Sequence, residues 1–435
     1  MSSLMSATSS TVVNKAQWKN ILVVGGSVAG HSFVNAIAPN LPPNYRLIII
    51  ERNEFVQHSS FVVRALVAPG WENGDFTAPM NQHTVFPINS RHRVVCPNRV
   101  VKLRRNTVWL EHDFEGSDEI EFEKCVIATG AQSPVPIRPA PGSTLEQWKD
   151  ELRAKQAEMK DAKSILIVGG GSVGIEVAGE IYDLYGRTKK ITIVHWDVGL
   201  LHPSDSGANT KHTYVPPRTS MKLVSALQRQ LTARGVEFVL CDRVDFSAAE
   251  AEEWGGKSGA LGEMKRVPLV SGRYIMADYV FDSTGNKPNS QLVSSVDPGA
   301  VTTNGYVSID SMFRIRGSHP QSIFKGQYYA LGDVANAPSW KTGVAAMSEG
   351  EALAKIMTAE IKGWPAKPYS PSSKLKESTV LLGSRGGAAI INLPIIGNIR
   401  APDFVVDRKS RDFLADKIFF SRFRQLGYTD STVNL

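Results

Sequence analysis

Two short stretches of this chain carry glycines at a spacing that indicates chemistry. Residues 23–30 read "VVGGSVAG" and residues 168–174 read "VGGGSVG", and each follows an apolar run short enough for a buried strand. Small residues with helical spacing come next, so each stretch is predicted to turn from a strand into a helix. Such a turn directs unpaired N–H groups of the helix start at a diphosphate. The chain is therefore expected to bind two dinucleotides.

The first glycine turn is defined by Gly25, Ser27 and Gly30. Serine replaces the middle glycine, where a diphosphate approaches most closely, but it is small and can donate a hydrogen bond. Glu51 ends the next apolar run, 51 − 30 = 21 residues after the last glycine, where an acid for the ribose hydroxyls is expected. The predicted contacts of this site are Gly25, Gly26, Ser27, Val28, Ala29, Gly30, Glu51 and Arg52.

The second glycine turn, with Gly169, Gly171 and Gly174, is complete but is not followed by an acid. The matching position, 195 − 174 = 21 residues on, is His195. A carboxylate there binds the ribose hydroxyls of NAD and repels the 2′-phosphate of NADP, whereas histidine does neither strongly. We therefore expect weak discrimination between NADH and NADPH; the alternative is an exposed strand-end histidine without nucleotide contact. The predicted contacts are Gly169, Gly171, Ser172, Gly174 and His195.

Two dinucleotide sites in one chain usually hold FAD and NAD(P)H, because hydride transfer requires their rings to stack. "VIATG" and "VFDSTG" each follow one glycine turn and end in a Thr-Gly pair, and "LGDV" places Asp333 after another apolar run. In such a flavoprotein this aspartate would bind ribityl hydroxyls, although Gly-Asp is also a common turn. Further cofactor contacts are therefore predicted at Thr129, Gly130, Gly285 and Asp333.

Two carboxylates follow the second glycine turn. Glu176 and Glu180 lie four residues apart on the helix that starts there, so they share one face. Glu176 is expected near the nicotinamide. The alternative for this residue is compensation of the helix dipole or surface charge.

Composition excludes several classes of function. The 435 residues, 42% hydrophobic and 21% charged, predict two or three globular domains. The three cysteines form no C-x-x-C pair, which argues against a dithiol relay or a zinc site and favours a reducing, cytoplasmic compartment. The net charge of +7 is scattered, so nucleic-acid binding is not expected. No apolar run has the length of a membrane span, and we expect no metal site and a monomer or homodimer.

"VVGGSVAG", "VIATG", "VGGGSVGIEVAGE", "STG" and "ALGDVA", in this order, resemble the two-dinucleotide flavoproteins with a glutathione-reductase-like fold. Within them the chain is most similar to the apoptosis-inducing-factor-like branch, which contains ferroptosis suppressor protein and is related to type II NADH dehydrogenases. The resemblance spans about residues 18 to 425. It implies an α/β fold with two Rossmann-type domains and a C-terminal α+β segment.

The resemblance also implies domain bounds and further site residues. "ERNEFVQHSSFVVRALV" resembles the family segment that places His58 and Arg64 at the flavin, and "DRKSRDF" resembles a stretch whose lysine, here Lys409, is linked to activity together with Glu176. The implied bounds are 1–17 for a flexible leader, 18–140 and 290–368 for a discontinuous FAD domain, 141–289 for the NAD(P)H domain and 369–435 for a segment that covers the flavin and acceptor site.

The implied activity is transfer of a hydride from NADH or NADPH to non-covalent FAD, and then of electrons to a quinone-like or other small-molecule acceptor. Two alternatives stay open: a flavin oxidase or biosynthetic reductase of a small organic molecule, and a redox-sensing, nucleic-acid-binding protein of the apoptosis-inducing type. Ser2 predicts that the chain is not N-myristoylated. The tail "LADKIFFSRFRQLGY" is typical of a basic segment on an anionic membrane surface; alternatively, its aromatic residues pack on the flavin domain.

Overall fold

A computed structural model describes residues 18–133, 136–205, 207–248, 254–371, 378–393, 397–413 and 419. Thirteen elements precede the long central helix: β1 Lys19–Val24, α1 Val28–Ile37, β2 Tyr45–Ile50, β3 Phe55–Gln57, α2 Ser59–Ala65, β4 Thr77–Pro79, α3 Gln82–Val85, β5 Arg93–Val95, β6 Val100–Leu103, β7 Thr107–Phe114, β8 Ser117–Glu121, β9 Lys124–Ile127 and β10 Ala131–Gln132. The following elements are α4 Leu145–Asp161, β11 Ser164–Val168, α5 Ser172–Tyr185, β12 Lys190–His195, α6 Met221–Ala233, β13 Glu237–Leu240, β14 Gly259–Pro268, β15 Tyr274–Asp282 and β16 Lys287–Pro288. The last are α7 Gln291–Ser294, β17 Tyr328–Ala330, α8 Gly343–Ile361, β18 Ser378–Leu381, β19 Gly387–Leu393, β20 Gly397–Arg400 and α9 Asp403–Asp412.

A parallel sheet of five strands, in the order β17-β9-β1-β2-β5, surrounds the first glycine turn. Its central strands are apolar and buried, because parallel strands are covered on both faces. Helix α8 packs against α1 so closely that a Cβ on Gly350 would lie 2.7 Å from the Ala29 carbonyl oxygen. Strands β6, β7 and β8 form a separate antiparallel sheet.

A second sheet, in the order β13-β12-β11-β15-β14, surrounds the second glycine turn. Four strands are parallel, and β14 pairs antiparallel with β15 at the edge. Helix α4 leads into this sheet and begins at a capping box formed by Thr144 and Gln147. The short ladder of β10 with β16 connects the chain leading into this unit with the chain leading out of it.

The C-terminal segment contains the antiparallel sheet β18-β19-β20 and helix α9. It packs on α5, where a Cβ on Gly179 would lie 2.5 Å from the Leu382 Cα. No helix within the described ranges is long and apolar enough to cross a membrane. The proposed leader at 1–17 and all of the basic tail except Phe419 lie outside those ranges. Phe419 itself is buried and packs in the core of the first sheet.

Candidate functional site

The two glycine turns have the same backbone geometry. Gly25 has a φ of +106° and Gly169 a φ of +105°, in a region that side chains rarely adopt. A Cβ on Gly30 would lie 2.0 Å from the Gly25 carbonyl oxygen, and a Cβ on Gly174 would lie 2.2 Å from the Gly169 carbonyl oxygen. Both ends of each turn therefore require glycine, and the helices start close against their strands.

Glu51 holds the first turn from the end of β2. Its Oε2 accepts the Gly26 N–H at 2.7 Å, and its Oε1 accepts the N–H groups of Arg52 at 2.8 Å and Asn53 at 3.2 Å. Ser27 caps α1 with its backbone, so that the residues Val28, Ala29 and Gly30 form the first helical turn. The structure thus brings the predicted contacts of the first site together at the carboxyl end of β1.

His195 occupies the position of Glu51 in the second turn and makes the equivalent bond. Its Nδ1 accepts the Gly170 N–H at 3.0 Å, and its Nε2 donates to the Leu201 carbonyl oxygen at 2.8 Å. The ring is buried, and this desolvation lowers its pKa. The hydrogen bond to Leu201 and the charge of Asp197 raise the pKa, but by less. The exposure assumed in the alternative interpretation is not observed, because the loop after β12 folds back over the ring. His195 is neutral and both ring nitrogens are bonded to the backbone.

The two Thr-Gly pairs and Asp333 surround the region between the sheets. Thr129 is joined to Asn289 by two hydrogen bonds of 2.8 Å, and Gly130 and Gly285 both have positive φ angles. The Asp333 carboxylate, in a single 3₁₀ turn at Gly332–Val334, accepts from Arg138 Nη2 at 2.7 Å. Sequence reasoning did not single out Arg138, since a partner 195 residues away leaves no local signal.

Arg64 is the centre of a buried cluster between α2, α5 and α9. Its Nε donates to both Glu180 carboxylate oxygens at 2.9 and 3.0 Å, and its Nη1 donates to the Ser410 carbonyl oxygen at 2.8 Å. The guanidinium also lies over the rings of Trp71 and Phe413, at 4.8 and 4.6 Å from their centroids. Its Nη2 has no hydrogen-bond partner among the residues that the structure describes. The arginine that the resemblance assigns to the flavin therefore also joins the C-terminal segment to the second unit.

Glu176 and Lys409 lie where the C-terminal sheet meets α5. Glu176 Oε1 accepts the Leu381 N–H at 3.4 Å, one helical turn from Glu180 on the same face as expected. Lys409 Nζ donates to Thr379 Oγ1 at 2.9 Å. The pKa of Glu176 is raised to about 8, mainly because the group is buried; the nearby Glu180 charge also raises it, and the Leu381 N–H and Arg64 lower it. Glu176 thus carries a proton near neutral pH. Both residues that the resemblance links to activity are hydrogen-bonded to residues of β18.

His58 is buried at the start of α2 and also contacts the C-terminal segment. Its Nε2 is 3.1 Å from the Phe413 carbonyl oxygen, and its ring stacks on Phe419 at 5.8 Å between centroids. For Phe419, the described residue of the tail, the alternative that tail aromatic residues pack on the flavin domain is therefore the correct one. Peripheral membrane contact through the other tail residues remains a hypothesis about residues outside the described ranges.

The raised pKa of Glu176 predicts a pH dependence of stability. The folded protein keeps this proton up to about pH 8, whereas the unfolded chain loses it near the ordinary value of 4.5. Stability from this group is therefore fully present below pH 4.5 and is lost as the pH rises to 8, by roughly 2–4 kcal/mol. Urea unfolding of wild type and Glu176→Gln at pH 5 and pH 8 should show a smaller loss in the variant. Equal pH dependence in both would contradict the assignment.

The geometry fits two dinucleotides. At the first turn the Cβ positions of Gly25 and Gly30 are filled by backbone, while a Cβ on Gly171 of the second turn would meet nothing within 4 Å. The open space in front of the N-terminus of α5 is where a diphosphate binds a helix of this kind. Gly25–Gly30, Glu51 and Asp333 would hold FAD, and Gly169–Gly174 would hold NAD(P)H.

Comparison with known proteins agrees with this geometry. The family model described as pyridine nucleotide-disulphide oxidoreductase matches residues 19–350. Apoptosis-inducing factor homolog A of Dictyostelium discoideum is 25% identical over 95% of this chain and 93% of its own length. Ferroptosis suppressor protein 1 of Homo sapiens is 23% identical over 81% of this chain and 84% of its own. Fe-regulated protein 8 of Mycosarcoma maydis is 26% identical over 82% of this chain and 85% of its own length.

Two solved structures share the fold. A NAD-dependent persulfide reductase from A. fulgidus aligns with a TM-score of 0.58 at 19% identity, over 86% of this chain and 64% of that protein's chain. A ferredoxin reductase for the CYP199A2 system from Rhodopseudomonas palustris aligns with a TM-score of 0.53 at 17% identity, over 87% of this chain and 83% of that protein's chain. The family model spans most of the chain, and both of its glycine turns are built as a dinucleotide requires. The chain belongs to the pyridine nucleotide-disulphide oxidoreductase family, in its apoptosis-inducing-factor-like branch, and its cofactors are FAD and NAD(P)H.

Proposed function

We propose that the protein is an FAD-dependent NAD(P)H oxidoreductase that passes electrons to a quinone-like small molecule. The observation that carries the acceptor class is the state of the cysteines. Cys125 lies in the centre of β9 and is fully buried, which raises the pKa of its thiol. Burial and the carboxylates of Glu51 and Glu54 raise the pKa of Cys96 to about 12. Cys241 is exposed in another unit, and all three thiols are free.

These thiols cannot act as the relay of a disulphide reductase. Two of them resist ionisation, the thiolate being the reactive form, and the three belong to different elements. Electrons must then leave the cofactor directly to the acceptor. Bound flavin supplies this chemistry by accepting a hydride and passing electrons on.

The aromatic residues around Arg64 form a wall beside the C-terminal segment, and this wall supports the proposal of an aromatic acceptor. The rings of Phe413 and Trp71 lie against the Arg64 guanidinium, whose buried Nη2 makes no hydrogen bond with any residue in the described part of the chain. A quinone combines a flat apolar ring with two carbonyl oxygens and matches these groups. We assign the Glu176 carboxyl to holding a proton near this wall, and Lys409, hydrogen-bonded to Thr379, to positioning β18 and the acceptor.

An absorbance spectrum and an anaerobic titration test the proposed function. The purified protein should show the visible flavin bands, lose them on addition of NADH or NADPH, and regain them faster with a soluble quinone than with oxygen. The Cys96→Ser/Cys241→Ser variant should keep the quinone rate within about twofold, because no thiol takes part. A colourless protein would refute the proposal. Recovery with oxygen as fast as with every quinone would favour the oxidase alternative, and loss of the rate in the cysteine variant would restore a thiol relay.

A further inference from the structure

An exposed aromatic ring and an exposed guanidinium lie together at the carboxyl end of the second sheet. Trp196 follows β12 directly, and Arg243 lies just beyond β13, the parallel neighbour of β12. The Arg243 guanidinium carbon is 5.6 Å from the centroid of the Trp196 ring. Two backbone bonds, Asp242 N–H to the His195 carbonyl at 3.2 Å and Cys241 N–H to the Asp197 carbonyl at 3.1 Å, hold the two strand ends in register.

This edge is where the adenosine half of a nicotinamide dinucleotide lies. In a Rossmann-type sheet the diphosphate binds at the glycine turn, here Gly169–Gly174, and the adenosine ribose reaches the end of the next strand, here β12. Trp196 is 43% exposed and Arg243 is exposed, so both side chains face the solvent from which a nucleotide enters. An arginine at this point can accommodate a 2′-phosphate, and an indole face can stack on adenine.

The carboxylates near this edge are turned inward. Asp197 accepts from the Val198 N–H at 2.7 Å and from Ser204 Oγ, faces His202 Nδ1 at 3.2 Å, and has a side chain only 1% exposed. The position of the ribose acid is taken by His195, whose two ring nitrogens are already bonded to the backbone. Neither residue presents an unengaged acceptor atom to the ribose hydroxyls.

Asp242 is sequestered in the same way. Its carboxylate accepts from Ser271 Oγ at 2.6 Å and from Arg273 Nη2 at 2.8 Å, and its side chain is 3% exposed. Arg243, by contrast, makes no ion pair with any residue in the described part of the chain. Arg243 is therefore an exposed positive charge beside the Trp196 ring at this edge.

We infer that Trp196 and Arg243 form a clamp for adenine and the 2′-phosphate, so that the protein selects NADPH over NADH. The inference rests on the NAD(P)H site of the proposed function and replaces the expectation of weak discrimination. That expectation treated His195 as the group that meets the ribose. In the structure His195 supports the glycine turn, and Arg243 is an exposed charged group beside Trp196.

Calorimetric titration of the purified FAD-bound protein with two non-reducing ligands tests the clamp without any electron acceptor. 2′-Phospho-ADP-ribose should bind at least about tenfold more tightly than ADP-ribose at low salt, which is the size of one charge-assisted phosphate contact. Arg243→Gln should bring the two affinities within about twofold by weakening only the phosphorylated ligand. Arg243→Lys should keep part of the preference, because it keeps the charge but not the planar fork.

Two further variants separate the clamp from general effects. Arg266→Gln removes another exposed arginine that lies over a ring, at 4.1 Å from the Tyr274 centroid, but at the amino end of β15. It should change neither affinity. Trp196→Ala should weaken both ligands by a similar factor, because adenine is common to both.

The possible failures are distinguishable. If both ligands bind wild type equally, or Arg243→Gln weakens both by the same factor, the clamp is refuted while the proposed function stands. If neither ligand binds, the NAD(P)H site itself fails, and the clamp and the proposed function are refuted together.

Discussion

Gly30→Ala is expected to give a protein that purifies without FAD. The added Cβ would lie 2.0 Å from the Gly25 carbonyl oxygen and 3.0 Å from Val23 Cγ1. The oxygen belongs to backbone that cannot move without opening the turn, so α1 must shift away from β1. Overpacking of this kind costs about 1–3 kcal/mol, and the diphosphate loses the N–H groups that the turn directs at it. The ratio of flavin to protein absorbance after purification measures the loss.

Gly343→Ala is the matched control for this change. Gly343 is the first residue of α8, has no positive φ, and a Cβ there would meet nothing within 4 Å. This variant should keep one FAD per chain, and circular dichroism should show the same helix content in both proteins. A Gly30→Ala protein that retains one FAD per chain would show that the first turn is not where the flavin nucleotide binds.

Arg64→Leu is expected to be the most destabilising single change in the C-terminal interface. Both partners of the ion pair are buried, with side chains 4% and 6% exposed, so the change leaves the Glu180 carboxylate without its cation in the interior. Breaking one side of a buried pair costs about 3–5 kcal/mol. The bond from Nη1 to the Ser410 carbonyl is lost as well, which releases α9. Urea unfolding measures the free energy, and limited proteolysis of the C-terminal segment measures the release.

A double change and a surface pair serve as controls. Arg64→Leu/Glu180→Leu removes both charges and should recover much of the lost stability, because an apolar pair needs no compensation. Arg99→Leu breaks the exposed pair with Glu111, whose side chains are 55% and 38% exposed, and should cost less than about 1 kcal/mol. If Arg64→Leu costs no more than Arg99→Leu, the buried pair does not hold the C-terminal segment in place.

The wall around Arg64 explains why the C-terminal segment matters for a family whose chemistry belongs to its cofactors. Glu176 precedes Lys409 by 409 − 176 = 233 residues, and the packing of α5 against β18 and α9 brings it to the face that holds Lys409 and Phe413. The proposed acceptor site is therefore assembled only when this segment docks on the second unit. Acceptor specificity should depend on this docking, because the segment supplies both an aromatic face and a lysine.

The sequence by itself determined the two glycine turns, because their requirement for a missing Cβ is local and recurs at a fixed spacing. It also located Glu51, since the length of one helix and one strand sets the distance from the last glycine to the end of β2. The shared face of Glu176 and Glu180 followed from helix geometry alone.

Only the tertiary structure decided which side chains remain available to a ligand. The residue type at His195 was known, but its burial depends on the loop that returns from Leu201. The pairs Arg138 with Asp333 and Arg64 with Glu180 join residues 195 and 116 positions apart. Parallel strands that are distant in sequence end at one edge of a sheet. Because β12 and β13 are parallel neighbours, Arg243 lies beside Trp196 at such an edge. Such contacts arise from the packing of whole elements and leave no periodic signal in the chain.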